Sequence, residues 1–319
     1  MRAVVCEELG SVVVRESAEP SAGPGQVVIA VEAAGVNYVD GLFVRGRYQI
    51  KPPLPFVPGS EVAGTVVAAG PDVAAPAVGA RVLATCGLGG FATRVAVPAA
   101  AAVPLPSALD AARAATFTQS HCTALFALRE RAGLASGETV LVLGAGGGVG
   151  LAAVQVAKSL GARVLAAAST PDKREAARAA GADATIDTAG DVKTAARELS
   201  DGGVDVVYDP VGGASAEPAL RALREGGRYA VIGFASGEIP ALPLNQVLLR
   251  NRAVVGVDWG AWSLRNPAGQ RALLEELLTL VASGELTPVA PRTEPLDGAA
   301  GVLDDLLNRR IVGKVALVP

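Results

Sequence analysis

Histidine is nearly absent from this 319-residue chain, and cysteine and aromatic residues are scarce. The one histidine is His121, and the three cysteines are Cys6, Cys86 and Cys122. An odd, widely spaced set of cysteines makes no disulfide framework and points to a reducing cytoplasm. Aromatic residues make up 4% of the chain, no basic block occurs, and the net charge is −3, so no nucleic-acid partner is expected. Gly, Pro or charge interrupts every apolar run well short of a membrane span, which predicts a soluble protein with no membrane partner. Met1 to Cys6 runs directly into a strand pattern, without an apolar leader and cleavage site.

What the chain does contain is apolar bulk and glycine. Half of its residues are hydrophobic, enough for a large core and two domains. The stretch Thr139–Lys158 carries the clearest pattern. Thr139–Leu143 is a short, mostly β-branched run suited to a strand buried on both faces. Gly144-Ala-Gly-Gly-Gly-Val-Gly150 follows, then an apolar run of helical length that stops at Ser159-Leu160-Gly161. Strand, glycine turn and helix in that order fit a dinucleotide. Backbone N–H groups approach the pyrophosphate, and the helix N-terminus sets partial positive charge behind it. The candidate cofactor residues of this turn are Gly144, Ala145, Gly147, Gly148, Val149 and Gly150. Read as G-x-G-x-x-G the motif is imperfect, with Ala145 in its first position and Gly147 and Gly150 after it.

On either side of this stretch the period differs. Short runs at Ala3–Cys6, Val12–Arg15, Gln26–Ala34, Glu61–Ala69, Arg81–Thr85 and Ala92–Val97 predict a small, barrel-like all-β unit. Within it, Tyr38–Arg45 reads as a helical turn, and four prolines between Lys51 and Pro58 force an extended connection. Beyond Leu105-Pro106-Ser107, the segments Ala108–Phe117 and Ala124–Ala132 read as helices, with Ser107 capping the first. Strand-like runs then alternate with helices at Thr139–Leu143, Arg163–Ala168, Ala184–Ile186, Val204–Asp209, Arg228–Gly233 and Ala253–Val257. That alternation predicts a doubly wound parallel sheet, a Rossmann-type α/β fold with the cofactor across its carboxyl ends. Pro267–Ala282, capped by Asn266, and Asp297–Arg310 read as amphipathic helices. Gly313–Val318 reads as a strand that rejoins the β-rich unit.

Several motifs together carry a resemblance. They are Glu32-Ala-Ala-Gly-Val-Asn-Tyr-Val-Asp40, Pro58-Gly-Ser-Glu-Val-Ala-Gly64, Gly79-Ala-Arg-Val82, Gly144–Gly150, Val204-Asp-Val-Val-Tyr-Asp-Pro-Val-Gly-Gly213, Gly226-Gly-Arg228 and Ile311-Val-Gly-Lys314. Over essentially its whole length the chain resembles the medium-chain dehydrogenase/reductase superfamily. Within it, the chain looks like the zinc-independent, NADPH-dependent quinone oxidoreductases related to zeta-crystallin. The resemblance implies a GroES-like catalytic domain at 1–112 and 258–319, and a Rossmann NADPH-binding domain at 113–257. In the alcohol dehydrogenases of the same superfamily, a zinc-ligating Cys stands where this chain has Asn37, and a His where it has Ser60. Zinc takes thiolate or imidazole, and Glu61 alone cannot hold it, so no metal site is expected.

The end of the second strand of the sheet sets the nucleotide type. Ala168-Ser169-Thr170-Pro-Asp-Lys173-Arg174 offers hydroxyls and two cations there instead of the acidic residue that favours NAD. Ser169, Thr170, Lys173 and Arg174 therefore suit the 2′-phosphate of NADPH. Thr170 also reads as the cap of a helix whose first residue is Pro171. The resemblance places Thr123 near the nicotinamide and the backbone at Gly233 and Phe234 near its carboxamide. It adds Asp209, at the end of the fourth strand, and Lys314 to the cofactor residues. His121 is a candidate proton donor, although a structural place is the commoner use of a lone histidine.

The function implied is hydride transfer from NADPH to a quinone held in an interdomain cleft. Asn37 and Tyr48, then Tyr38, are the candidate donors to the acceptor oxygen, and water supplies the proton. Reduction of an activated C=C bond, in an enone or enoyl thioester, is the alternative within the class. Outside it stands a protein that binds NADPH or RNA with little catalysis. The resemblance also implies a homodimer through the apolar edge strand at Ala253–Val257. Trp259 and Trp262, just beyond, serve either a substrate pocket or that interface.

Overall fold

The short amino-terminal runs form strands close to where alternation places them: β1 (Arg2–Val5), β2 (Val13–Glu16), β3 (Gln26–Val36), β4 (Glu61–Ala69), β5 (Arg81–Thr85) and β6 (Arg94–Pro98). A further strand, β7 (Ala102–Pro104), is too brief for alternation to reveal. The computed structural model describes all 319 residues, Met1–Pro319. They divide into two units, Met1–Gln119 with Ala290–Pro319, and Ser120–Val289.

In the first unit a seven-stranded sheet runs Arg292–Pro295, Val315–Val318, β3, β4, β5, β7, with β6 also paired to β3. The carboxyl-terminal strand thus returns to the amino-terminal sheet, Val315 opposite Val36 and Leu317 opposite Ala34. Ile29, Val62, Val82, Phe91 and Leu317 fill its core. The helical turn becomes α1 (Tyr38–Val44), and α2 (Ala111–Ala115) lies across β3. Gly35 makes that crossing possible. A Cβ there would fall on the Ala115 carbonyl and 2.9 Å from Glu61 Oε1. Asp110, not Ser107, caps α2, its carboxylate accepting from the Arg113 amide at 2.7 Å. The residues between them are spent on a turn, Leu109 N–H to the Pro106 carbonyl, that buries Leu109.

The second unit takes in α3 (Thr118–Leu125) from Ser120 onward, and α3 continues as a π-helical segment, Phe126–Arg131, in place of one long α-helix. Six parallel strands follow: β8 (Thr139–Leu143), β9 (Arg163–Ala168), β10 (Ala184–Asp187), β11 (Val204–Asp209), β12 (Leu223–Val231) and β13 (Ala253–Gly256). Their order is β10-β9-β8-β11-β12-β13, so the chain reverses its direction of winding between β8 and β11. The helices between them are α4 (Gly148–Ser159), α5 (Pro171–Ala179), α6 (Val192–Leu199), α7 (Ala216–Ala222) and α8 (Leu244–Leu248).

After β13 come α9 (Trp259–Arg265) and α10 (Pro267–Ser283), the latter capped by Asn266 as expected. Residues 258–289, which the sequence reading gives to the catalytic domain, group with the second unit. Their side chains explain it. Trp262 stacks on Phe126 at 4.6 Å, and Trp259 Nε1 donates to Gln270 Oε1, whose amide reaches Cys122 Sγ. The second amphipathic helix forms in the first unit as a 3-10 turn, Leu296–Gly298, followed by Ala299–Leu307. No helix is long and apolar enough to cross a membrane.

A buried carboxyl group on α1 sets a pH dependence. Asp40, three residues beyond the cap Asn37, reaches back so that Oδ2 accepts from the Asn37 amide at 2.8 Å. It is fully buried, and its Oδ1 has no partner. Burial, with a smaller push from Glu61, raises its pKa to about 7 against the pull of the Asn37 and Gly59 amides and Lys314. The folded state then holds a proton that the unfolded chain releases at lower pH. Stability from this group is complete below about pH 4 and is lost as pH rises through about 7. Asp40→Asn, which mimics the protonated form, is expected to gain in melting temperature over the natural chain between pH 4 and pH 8. Melts across that range check this, and a gap that shrinks with rising pH contradicts it.

Candidate active site

Strand register assembles a polar cluster inside the first unit. Glu61 opens β4 opposite Gly35 of β3, and Val315 pairs with Val36, which brings the preceding Lys314 beside Asn37. Glu61 Oε1 accepts from Asn37 Nδ2 at 2.9 Å and from Lys314 Nζ at 3.3 Å, while Oε2 accepts from the Gln119 amide at 2.9 Å. Asn37 Oδ1 accepts from Lys314 Nζ at 2.5 Å, and Asn37 Nδ2 also reaches Ser60 Oγ at 3.4 Å. Ser60 in turn donates to Gln119 Oε1 at 2.8 Å. The ammonium requires the amide oxygen and the carboxylate requires the amide hydrogens, so the orientation of Asn37 is determined. Glu61 is 1% and Asn37 4% exposed, whereas the Lys314 side chain is 12% exposed.

This arrangement turns Asn37 inward. Both hydrogens of its amide serve Glu61 and Ser60, where the sequence reading has them facing an acceptor. Lys314, expected among cofactor residues, holds Asn37 and Glu61. An amide, a hydroxyl, one carboxylate and an ammonium do not make a zinc site, because zinc takes thiolate, imidazole or carboxylate, and the ammonium competes for the carboxylate. Tyr48 is half-buried, edge-on to Phe43 at 4.9 Å, and Tyr38 is the first residue of α1.

In the second unit, the glycine turn lies at the carboxyl end of β8, beside the point where the winding reverses. Gly144 takes φ +59°, which glycine adopts without strain, and so does the bending for which the motif's first glycine serves. Ala145 is buried there, its amide bonded to the Ala167 carbonyl at 3.1 Å. Gly150 is needed for packing, since a Cβ would come 2.8 Å from Ala145 Cα. Gly146 is needed because Lys173 lies across it, with Cα 2.8 Å from an added Cβ. At Gly147 the nearest atom to such a Cβ is 3.5 Å away, and α4 starts at Gly148, Val149 and Gly150, whose amides have no partner within the helix. Close packing on two glycines and open backbone on the third fit a pyrophosphate.

At the end of β9, Ser169 and Thr170 are exposed, and Thr170 caps α5 by accepting from the Lys173 amide at 3.3 Å. The two cations separate. Arg174 pairs with Asp187 at 3.0 Å and donates to the Ala168 carbonyl, while the stem of Lys173 covers Gly146. Thr123 is half-buried on α3. Gly233 and exposed Phe234 follow β12. Asp209 at the end of β11 uses its carboxylate internally, accepting from the Val211 and Gly212 amides at 2.7 and 2.9 Å and from the Tyr229 hydroxyl. His121 donates from Nε2 to Gln155 Oε1 at 3.2 Å. The spacing of Asn37 and Asp40 foreshadows their pairing, but nothing local in the sequence announces Gln119 or the inward place of Lys314.

Two family profiles match the chain, "Alcohol dehydrogenase GroES-like domain" over residues 23–107 and "Zinc-binding dehydrogenase" over 148–279. A quinone oxidoreductase-like protein 2 homolog of Nematostella vectensis is 39% identical, covering 99% of this chain and 88% of its own length. The quinone oxidoreductase of Thermus thermophilus, solved alone and with NADPH, is 38% identical with a TM-score of 0.84, covering 100% of both chains. Phthioceranic/hydroxyphthioceranic acid synthase of Mycobacterium tuberculosis is 35% identical over 92% of this chain but only 14% of the synthase. Matched from end to end in sequence and in fold, this chain belongs to the medium-chain dehydrogenase/reductase superfamily, in its quinone oxidoreductase group.

Proposed function

We propose that this chain is an NADPH-dependent oxidoreductase that reduces a quinone without zinc. The observation that carries this reading is the turn at Gly144–Gly150, closed by packing at Gly146 and Gly150 and open at Gly147. The NADPH complex of the similar Thermus thermophilus enzyme supports the choice of cofactor. NADPH, when bound, supplies a hydride from C4 of its nicotinamide. The amides at the start of α4 hold the pyrophosphate, and Ser169, Thr170 and Lys173 hold the 2′-phosphate, with Arg174 kept in place by Asp187. Thr123, Gly233 and Phe234 flank the nicotinamide in this reading. Asp209 acts through the turn that its carboxylate folds. The proposed acceptor site lies on the first unit, where Tyr48 and Tyr38 donate to the acceptor.

Likeness to a segment of the phthioceranic/hydroxyphthioceranic acid synthase favours a second reading, reduction of an activated C=C bond. Turnover of para-benzoquinone and of cyclohexenone, each with NADPH and with NADH, separates the two. The quinone reading expects faster turnover of the quinone, preference for NADPH, and a slower Tyr48→Phe variant at saturating quinone. Faster reduction of the enone selects the second reading, and oxidation of neither cofactor rejects both.

The same proposal includes a homodimer through β13. This is an edge strand with Val254 41% exposed, and Leu248, Leu249 and Leu264 near it in sequence are exposed as well. Sedimentation is expected to give twice the chain mass, and Val254→Lys to give the monomer. A monomeric natural chain contradicts it.

A further inference from the structure

We propose that Lys314 is a catalytic residue of the acceptor site: its ammonium donates a hydrogen bond to the oxygen on which negative charge develops as hydride arrives. The inference rests on the oxidoreductase reading above and names the group that stabilises the product anion.

The bonds that hold the buried cluster in the first unit can be followed. Glu61 accepts from Asn37, Lys314 and Gln119. The amide of Asn37 is committed to Glu61 and Ser60, and the hydroxyl of Ser60 to Gln119. Lys314 differs from these. An ammonium has three N–H bonds, and the cluster takes two of them, one to Asn37 Oδ1 and one to Glu61 Oε1. It is also more exposed than the carboxylate it pairs with, with 12% of its side chain accessible against 2% for the side chain of Glu61. The third N–H is a donor this cluster has to offer a bound molecule, and it is the charged one.

The surroundings fix the strength of that donor. Asn37 and Glu61 hold Nζ at two points, so the ammonium needs no reorganisation when an acceptor arrives. Asp40 is buried nearby, where desolvation raises its pKa, and Glu61 is the carboxylate in direct contact with Lys314, at 3.3 Å. The pair is balanced before reaction and gains an attractive partner during it. In the step itself, the C4–H bond of the bound cofactor breaks and both its electrons form the new bond to the acceptor. The acceptor is thereby reduced by two electrons, the cofactor is oxidised, and one negative charge appears on the acceptor oxygen. Lys314 keeps its proton and hydrogen-bonds that oxygen, and water then protonates it to complete the product. A quinone and an enone both place charge on a carbonyl oxygen, so the role is the same for either acceptor.

The rival explanation makes Lys314 only the counter-ion of buried Glu61, and a pair of variants separates the two. Lys314→Met removes the donor and leaves Glu61 without its cation, whereas Glu61→Gln with Lys314→Met removes the donor and restores neutrality. Three quantities are read. They are kcat with para-benzoquinone, the NADPH dissociation constant from protein fluorescence, and the binding of para-nitrophenol, whose anion is distinguished by its visible absorbance and mimics the product oxyanion. Both variants are expected to lose kcat on the order of 100-fold, keep NADPH affinity within about twofold, and lose the preference for the phenolate form. Lys314→Arg, which keeps the charge, is expected to retain that preference and to serve if Lys314→Met does not fold. Recovery of full kcat in the double variant overturns the proposal in favour of a counter-ion. Weakened NADPH binding with kcat unchanged at saturation overturns it in favour of a cofactor contact. If the natural chain reduces no acceptor yet binds phenolate through Lys314, the oxidoreductase reading fails and the anion site stands. If it binds phenolate no better than Lys314→Met does, the anion site fails.

Discussion

A carboxylate taken out of water must be met on most of its lone pairs or it will not stay charged, and Glu61 is met from three directions. Lys314 and Asn37 approach one oxygen and the Gln119 amide the other. Those donors come from the carboxyl-terminal strand region, the end of β3 and the start of α3. One buried charge therefore fixes three separated parts of the chain around the head of β4. Gly35 belongs to the same constraint, because a side chain there would displace both α2 and Glu61. Removing any single donor exposes the cost of an unpaired buried charge, whereas removing the charge together with its cation exposes much less of it. The arrangement is accordingly a unit, and its members are best understood together.

The second unit solves a different problem with backbone alone. The inner strands of its Rossmann sheet are buried and apolar, so the polar groups available to a ligand are those at the carboxyl ends of the strands and at the helix starts. Glycine at 144, 146 and 150 removes the side chains that would fill the turn or push α4 and α5 away from it. Thr170 accepts from the Lys173 amide to cap α5, and Asp209 spends its carboxylate on shaping the loop after β11. Asp209 is recognisable in sequence as part of a nucleotide site, yet its carboxylate contributes through the conformation it holds.

Periodic features were legible from the chain alone. The six parallel strands, the cap at Asn266, the cap at Thr170 and the strand at the carboxyl terminus all follow from local pattern. Less legible was anything decided by packing across the sequence. The π-helical segment after α3 has no local signature and coincides with the stacking of Phe126 on Trp262. That same stack, with the Trp259–Gln270–Cys122 contacts, draws 258–289 to the second unit. In the candidate site, residue types were visible but directions were not. Asn37 was legible as a polar residue at a chemically important position, but only register with Lys314 and Glu61 shows that its amide faces inward. Its two partners there lie 24 and 277 positions away along the chain.

The central claim is that a protein ammonium, held by Glu61 and Asn37, occupies the polar heart of the first unit, and that the chemistry proposed there needs no metal. Elemental analysis of the purified protein, paired with turnover before and after exhaustive treatment with a chelator, tests it most directly. The account predicts zinc well below one atom per chain and a rate that chelation leaves unchanged. One zinc per chain, lost together with activity on chelation and restored with it on adding zinc back, would contradict it.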